Sequence, residues 1–358
     1  MRHALLQKVS RLVVKFGTGI LTNEQKQPDP ERMRLLVDQI AAQRRAGREV
    51  VLVSSGAVGA GMGALNHVRR PTELAELQAC AAVGQLRLMA AYEELFSAHG
   101  IQIGQVLLTH EDLRHHERHL NARNTLLALL DRDVVPVINE NDTVSFTELK
   151  FGDNDRLSAL VAALLPADLL VILTTADGVL EGYGTPQARV LPLVERIDAS
   201  ITGLARGTTS ATAVGGMSTK VEAARIATRS GIPVVIASGR RPGVLEQVVG
   251  GGEEGTLFVP GPARLRSRKR WIAFFHHPQG TLFVDDGARV ALRDNGKSLL
   301  LPGVKRHEGG FHAGDVVRVC DLDGKEFARG IVAFDATAIA GGGSKQKELI
   351  HRDNLVIL

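Results

Sequence analysis

The chain has 358 residues, of which 44% are hydrophobic and 23% charged, ordinary values for a soluble globular protein long enough for two domains. Its net charge of +4 at pH 7 is small for that length and argues against a dedicated nucleic-acid binder, which concentrates basic residues on one face. Cys80 and Cys320 are far apart and outside any C-x-x-C spacing, which argues against a disulfide framework or a zinc ribbon and for a reducing compartment.

The N-terminal MRHALLQKVSRLVVKF holds no apolar run long enough for a signal peptide. The longest apolar stretch, 157–173, is broken by Pro166 and Asp168 and falls short of the ~20 residues of a membrane span. A cytoplasmic protein without a membrane segment is expected. Short apolar runs then alternate with helical patterns. Strands are expected at 12–16, 50–55, 103–109, 134–138, 169–174 and 233–237, with a helix over 31–47 ended by Gly47. The strands are β-branched and apolar without alternation, as in strands buried on both faces. Helices between them imply β-α-β units and a mainly parallel sheet with helices on both sides.

The character changes near residue 260. PGPARLRSRKR carries two prolines and five basic residues and reads as a basic linker over 261–275. Short strands and turns follow, including a hairpin over 316–334 turned at Asp323-Gly324. The expected organisation is therefore an α/β domain over 1–260 and a small β-rich domain over 276–358. From Trp271 onward there are 11 basic and 11 acidic residues, which gives RNA little phosphate-binding charge.

Ligands of parallel sheets bind beyond the carboxyl ends of the strands. One such end is KFGTG, where Lys15 is costly to bury without a partner and Gly17 and Gly19 permit close approach of an anion. A plain turn with the lysine tip in solvent is the alternative. SSGAVGAGMG follows the next strand and opens a helix, whose first N–H groups suit an anion; close helix–sheet packing through glycine is the competing reading. INENDTV and FGDNDRLSA bring together Asn139, Glu140, Asn141, Asp142, Asp153, Asn154 and Asp155. Asp153 or Asn154 suffices to cap the helix that follows. The excess suggests a polar pocket for a small zwitterion, since carboxamides and carboxylates pair with its charged ends.

GGMSTK holds a phosphate-loop vocabulary in the wrong order. Thr219 and Glu222 read as a capping box that makes Lys220 the first helical residue. A cation there opposes the helix dipole unless an anion binds the same end. LTHEDLRHHERHL contains His110, His115, His116 and His119. His115 and His119 share a face without a clear third ligand, so the segment reads as a solvated polar face and no metal site is assigned.

Taken together, KFGTGILT, SSGAVGAG, GQVLLT, LNARNTL, PVINENDTV, KFGDNDRLSALVA and GGMSTK, with the β-rich ending, resemble the amino-acid kinase family in its glutamate-phosphorylating branch, which carries a C-terminal PUA domain. The resemblance implies a three-layer α/β/α sandwich. It implies transfer of phosphate from ATP, with Mg²⁺, to the γ-carboxylate of L-glutamate, giving L-glutamyl 5-phosphate. That is the first step of proline biosynthesis and is feedback-inhibited by proline. By motif position, Lys15 and Lys220 would contact the phosphoryl group and Asp155 would hold them. Ser55, Asp142 and Asn154 would bind glutamate. Gly17 and Gly56 would supply backbone donors, Thr174 and Thr175 would line the nucleotide site, and Gly216 and Met217 would also bind the nucleotide or its phosphates. A homo-oligomer and coupling to glutamate-5-semialdehyde dehydrogenase are implied as well. Thr175 stands where relatives often have aspartate, Val214 departs from the usual Gly-Thr-Gly-Gly pattern, and 180–197 is short for the family.

Overall fold

A computed structural model describes residues 2–23, 28–144, 153–206, 216–261, 269, 272–273, 278–340 and 348–358. The chain divides into two units, Met1–Arg264 and Leu265–Leu358.

The first unit is built on eight strands: β1 (Arg11–Phe16), β2 (Glu49–Ser54), β3 (Ile103–Leu108), β4 (Val135–Glu140), β5 (Leu169–Thr174), β8 (Leu193–Val194), β9 (Val234–Ser238) and β10 (Thr256–Phe258). A small hairpin, β6 (Leu180–Glu181) with β7 (Arg189–Val190), stands apart from them. The sheet order is β3-β4-β2-β1-β5-β9-β10-β8. Its pairs are parallel except β9 with β10, which run antiparallel. The long inner strands β4 and β5 are buried at every residue, as the apolar runs of parallel strands covered on both faces require, and β4 ends in the buried polar pair Asn139 and Glu140.

Eleven helices accompany this sheet among the described residues: α1 (Arg2–Leu6), α2 (Thr18–Leu21), α3 (Pro30–Arg45), α4 (Ala57–Ala64), α5 (Leu74–Ser97), α6 (His110–Arg114), α7 (His116–Leu130), α8 (Asp153–Leu164), α9 (Ala199–Arg206), α10 (Met217–Arg229) and α11 (Val244–Val249). Leu12, Val14 and Phe16 of β1 share one core with Leu36, Val37 and Ile40 of α3, Tyr92 and Phe96 of α5, and Val244 and Val248 of α11. Side chains of a strand alternate between faces, so Val13 and Lys15 point to the other side, where α8 packs against β1 and α10 packs against α8. The result is a three-layer α/β/α sandwich. Among the described residues, no helix is long and apolar enough to cross a membrane.

The glycines of α4 differ in their work. Gly56, at the N-cap of α4, has φ of 110°, a left-handed conformation open to glycine at no steric cost. A Cβ on Gly61 would lie 1.7 Å from the carbonyl oxygen of Cys80, and one on Gly84 of α5 would lie 1.7 Å from that of Ala57. Thus α4 and α5 touch backbone to backbone. The glycine-rich run serves close packing, but between two helices instead of between helix and sheet.

The second unit is a five-stranded sheet with order β13-β11-β14-β15-β17, from β11 (Gly280–Val284), β13 (Val304–Glu308), β14 (Val316–Cys320), β15 (Glu326–Ile331) and β17 (Leu355–Ile357). β12 (Leu299–Leu300) and β16 (Glu348–Ile350) form a second, two-stranded sheet. The expected hairpin is β14 with β15, and Gly324 in its turn has φ of 84°. A helix that the turn-rich sequence did not suggest spans Asp286–Arg293, capped by the Asp285 side chain accepting from the Ala288 N–H. Most of the expected basic linker lies outside the described residues. Ile272 and Ala273 within it are buried, and the Ala273 carbonyl accepts a bond of 2.9 Å from Arg329. That end of the stretch is part of the second unit and not a solvated connection.

Gly84→Ala has no room without moving α4 from α5 and should cost about 1–3 kcal/mol in urea denaturation. Gly63→Ala, on the open face of α4 with nothing within 4 Å, should raise stability by up to about 1 kcal/mol.

Candidate active site

Lys15 lies in the middle of the sheet, opposite Val53 of β2 and Ile172 of β5. It is buried, and the face it occupies brings it to the first turn of α8. Its Nζ lies 2.6 Å from Oδ1 of Asp155. The Nζ of Lys220, from the first turn of α10, lies 3.1 Å from Oδ2 of the same carboxylate. Asp155 is only 1% exposed. Burial pushes its pKa up, but Lys15 and Lys220, with a hydrogen bond from Thr219, outweigh this and hold it at about 2. Burial pushes the Lys15 pKa down, Asp155 opposes that, and Lys220 adds to it. Two ammonium groups on one carboxylate leave a local charge of +1, which desolvation makes expensive unless an anion arrives.

The expected capping box does not form. α10 starts at Met217 with Gly216 as N-cap and no side-chain cap bond, so Lys220 is its fourth residue and not its first. The Thr219 hydroxyl lies 2.7 Å from Asp155 Oδ2 and 2.9 Å from the Gly216 carbonyl. A buried carboxylate is a stronger acceptor than a neutral one and takes the hydroxyl. Thr219 was read as a cap from its spacing to Glu222; its role beside Asp155 had no signal in the sequence.

Asn154 is not a helix cap either, because α8 already includes it. Its Nδ2 donates to Ser55 Oγ at 3.0 Å and to Asn139 Oδ1 at 2.9 Å, while its Oδ1 accepts from the Glu140 N–H at 3.3 Å. Asn139 Oδ1 also accepts from that N–H at 2.9 Å. Ends of β2, β4 and α8, distant in sequence, thereby meet in one carboxamide cluster. It is next to the lysine pair, since Asn154 and Asp155 are adjacent. Asp142 is half-buried and lines a small pocket with Ala57, Gln85 and Glu140. Gln85, on α5, donates nothing to sequence reasoning because it sits in an ordinary amphipathic helix; in the structure its Oε1 accepts from Asn139 Nδ2 at 2.8 Å.

The expected nucleotide residues surround the same strand ends with different credentials. The Gly17 N–H is not available as an anion donor, because it bonds the Leu173 carbonyl at 3.0 Å and extends the β1–β5 ladder. What Gly17 provides is space: a Cβ there would lie 3.6 Å from Lys15 Nζ and 3.3 Å from the Leu173 oxygen. Thr174 ends β5 and is buried, and Thr175 beside it is exposed. Thr175 lies against Gly19, where a Cβ would come within 2.8 Å of its Cγ2. Gly216 and Met217 begin α10, with Met217 buried. Gly215 and the altered loop around Val214 lie outside the described residues, as do Phe151 and Gly152.

The histidine segment is only in part a solvated face, and His115 is exposed on it. His110 and His119 are buried. His110 Nδ1 faces Glu140 Oε2 at 3.7 Å, and His119 Nδ1 lies 3.2 Å from the Leu113 carbonyl. Because α6 follows the end of β3, which pairs with β4, its first residue is drawn under the Glu140 side chain.

The pattern that defines the amino acid kinase family matches residues 10–238. The chain belongs to the amino acid kinase family. A PUA domain pattern matches residues 280–352. This amino acid kinase is 48% identical to a protein of Geobacter sulfurreducens named glutamate 5-kinase, with 100% of each chain covered. It is 47% identical to one of the same name from Moorella thermoacetica, covering 99% of this chain and 97% of that one. Among solved structures, carbamate kinase from Giardia lamblia bound to AMP-PNP superposes with a TM-score of 0.50 at 20% identity, covering 71% of this chain and all of that one. That likeness is one of fold.

For this kinase, the charge on Asp155 carries a pH signature. A carboxylate whose folded pKa lies below its ordinary 3.8 contributes stability that is present above that value and lost as pH falls toward about 2. Asp155→Asn removes this dependence and leaves two buried lysines facing each other, at a cost on the order of 3–5 kcal/mol. Chemical denaturation at pH 7 and at pH 3 measures both: the gap between wild type and variant should narrow at the lower pH.

Proposed function

We propose that the protein catalyses the glutamate 5-kinase reaction, ATP with L-glutamate giving ADP and L-glutamyl 5-phosphate. The observation that carries the reading is the lysine pair on Asp155, set beside the carboxamide cluster of Ser55, Asn139 and Asn154. The first is a cationic seat for a phosphoryl group in flight; the second is a polar pocket for an amino acid. The full-length relatives named glutamate 5-kinase support the same substrate.

The chemistry needs no protein nucleophile. At neutral pH the γ-carboxylate of glutamate is already ionised. One of its oxygens forms a bond to the γ-phosphorus as the bond from that phosphorus to the bridging oxygen of ADP breaks, and ADP leaves with the electron pair. In-line transfer between two anions depends on alignment and on neutralising charge. Lys15 and Lys220 approach from separate elements and neutralise the equatorial oxygens. Asp155, itself bonded by the Thr219 hydroxyl, holds them in place when the site is empty. Gly17 leaves room at the Lys15 ammonium, and Gly56, Thr174, Thr175, Gly216 and Met217 border the nucleotide. Mg²⁺ enters with ATP and supplies further neutralising charge when bound. Ser55, Asp142 and Asn154 grip glutamate. We assign this activity to residues 1–260, in a cytoplasmic homo-oligomer with the PUA domain over 276–358.

The product is an acyl phosphate, which water destroys. A reaction that consumes it promptly is therefore needed, and the reading places the enzyme at the first step of proline biosynthesis, coupled to glutamate-5-semialdehyde dehydrogenase and inhibited by proline.

Hydroxylamine traps acyl phosphates as hydroxamates. Purified protein with MgATP should form hydroxamate with L-glutamate, not with N-acetyl-L-glutamate or L-aspartate, and L-proline should suppress it. Hydroxamate from another acid would move the substrate. Lys220→Ala should lower kcat about a hundredfold or more with a KM for glutamate changed less than about threefold; an effect on KM alone would remove Lys220 from the transition state.

A further inference from the structure

We propose that Gln85 of α5 is a positioning residue for the amino-acid substrate, acting through Asn139 and Asn154 on the Ser55 hydroxyl. This rests on the glutamate pocket proposed above and extends it to a residue outside any strand end.

A carboxamide has one acceptor and one donor group that exchange places by a half-turn, so its orientation must be imposed by neighbours. The Glu140 N–H can only donate, and it points at Asn139 Oδ1. That contact turns Asn139 Nδ2 toward α5, where Gln85 Oε1 accepts it at 2.8 Å. Gln85 in turn directs its Nε2 to Gln105 Oε1 of β3 at 3.5 Å. With both ends of Asn139 committed, its Oδ1 is left facing Asn154 Nδ2, at 2.9 Å. The remaining Asn154 hydrogen goes to Ser55 Oγ. A hydroxyl that accepts at its oxygen still has its own hydrogen to give. The chain of bonds therefore presents Ser55 as a donor, the polarity that a substrate carboxylate requires.

Gln85 is the one member of this chain carried by α5, and its neighbour Gly84 fixes how near α5 lies to α4, with a Cβ there only 1.7 Å from the Ala57 carbonyl. The reach of the Gln85 side chain is thus set by a main-chain contact. Without its oxygen, the buried Asn139 donor loses its acceptor, which favours rotation of the amide and disturbs Asn154.

The test compares Gln85→Leu and Gln85→Ala with Asn139→Ala and the double variant Gln85→Leu/Asn139→Ala, all in the full chain. Gln85→Leu and Gln85→Ala should each raise the KM for L-glutamate about tenfold. The KM for MgATP should stay within about twofold, and the thermal unfolding midpoint should fall by no more than a few degrees. The double variant should lose no more than Asn139→Ala alone, because Gln85 acts through Asn139. An unchanged KM for glutamate, equal losses for both substrates, or losses that add in the double variant would overturn the proposal. The KM is read with whichever acid the wild type phosphorylates in the hydroxamate assay, so a wrong acceptor defeats the earlier reading while these ratios still decide this one.

Discussion

A carboxylate buried with two lysines on it is the constraint around which the first unit is arranged. Asp155 sits where water does not screen it, and Lys15 and Lys220 approach its two oxygens from a strand and a helix far apart in sequence. Neither lysine is affordable in such a place alone. The three groups make one another tolerable, yet their sum is one positive charge in a desolvated site. Such a site gains most from a ligand that brings negative charge, so the tension in the empty protein and the proposed role toward a phosphoryl group have a common origin.

The fold serves that arrangement through simple alternation. Leu12, Val14 and Phe16 go to the core beneath α3, α5 and α11, and this sends Lys15 to the side of α8. Two positions earlier or later the lysine would be too far along the strand; one position away it would be in oil. Placing Asp155 in the first turn of α8 adds the positive end of a helix to the forces that keep it ionised. Asn154, one residue before, turns to the carboxamide cluster, so a single helix start supplies both the charge that holds the lysine pair and the amide that joins the ends of β2 and β4, the two halves of the proposed site.

Much of this was legible because strands buried on both faces leave an unmistakable apolar signature, and because charged or amide residues at their ends have few structural excuses. Lys15 and Asp155 were singled out by that reasoning and Lys220 by its place against a helix dipole, and the structure brings the three together; the parallel sheet with helices on both sides and a β-rich second unit followed from the runs themselves. What failed was local. Thr219 and Glu222 have the spacing of a capping box, but a carboxylate from another helix claims the threonine. Gly17 offers a backbone N–H in sequence, and the neighbouring strand takes it. His110 was counted with surface histidines because nothing nearby in the chain announces Glu140. Gln85 was invisible for the same reason. In each case the deciding partner lies in a different element, so local spacing could not anticipate the competition.

The contact between α4 and α5 has a consequence for how such a sequence can change. At Gly61 and Gly84 the obstacles are carbonyl oxygens, of Cys80 and Ala57, and these remain whatever side chain those positions carry. Shrinking a neighbour therefore relieves nothing. Most crowded positions in a core can trade volume with the residue opposite; these two have no trading partner. Each is fixed on its own account by the main chain across from it, and drift elsewhere in the helices is free to proceed around two hydrogens that have no substitute.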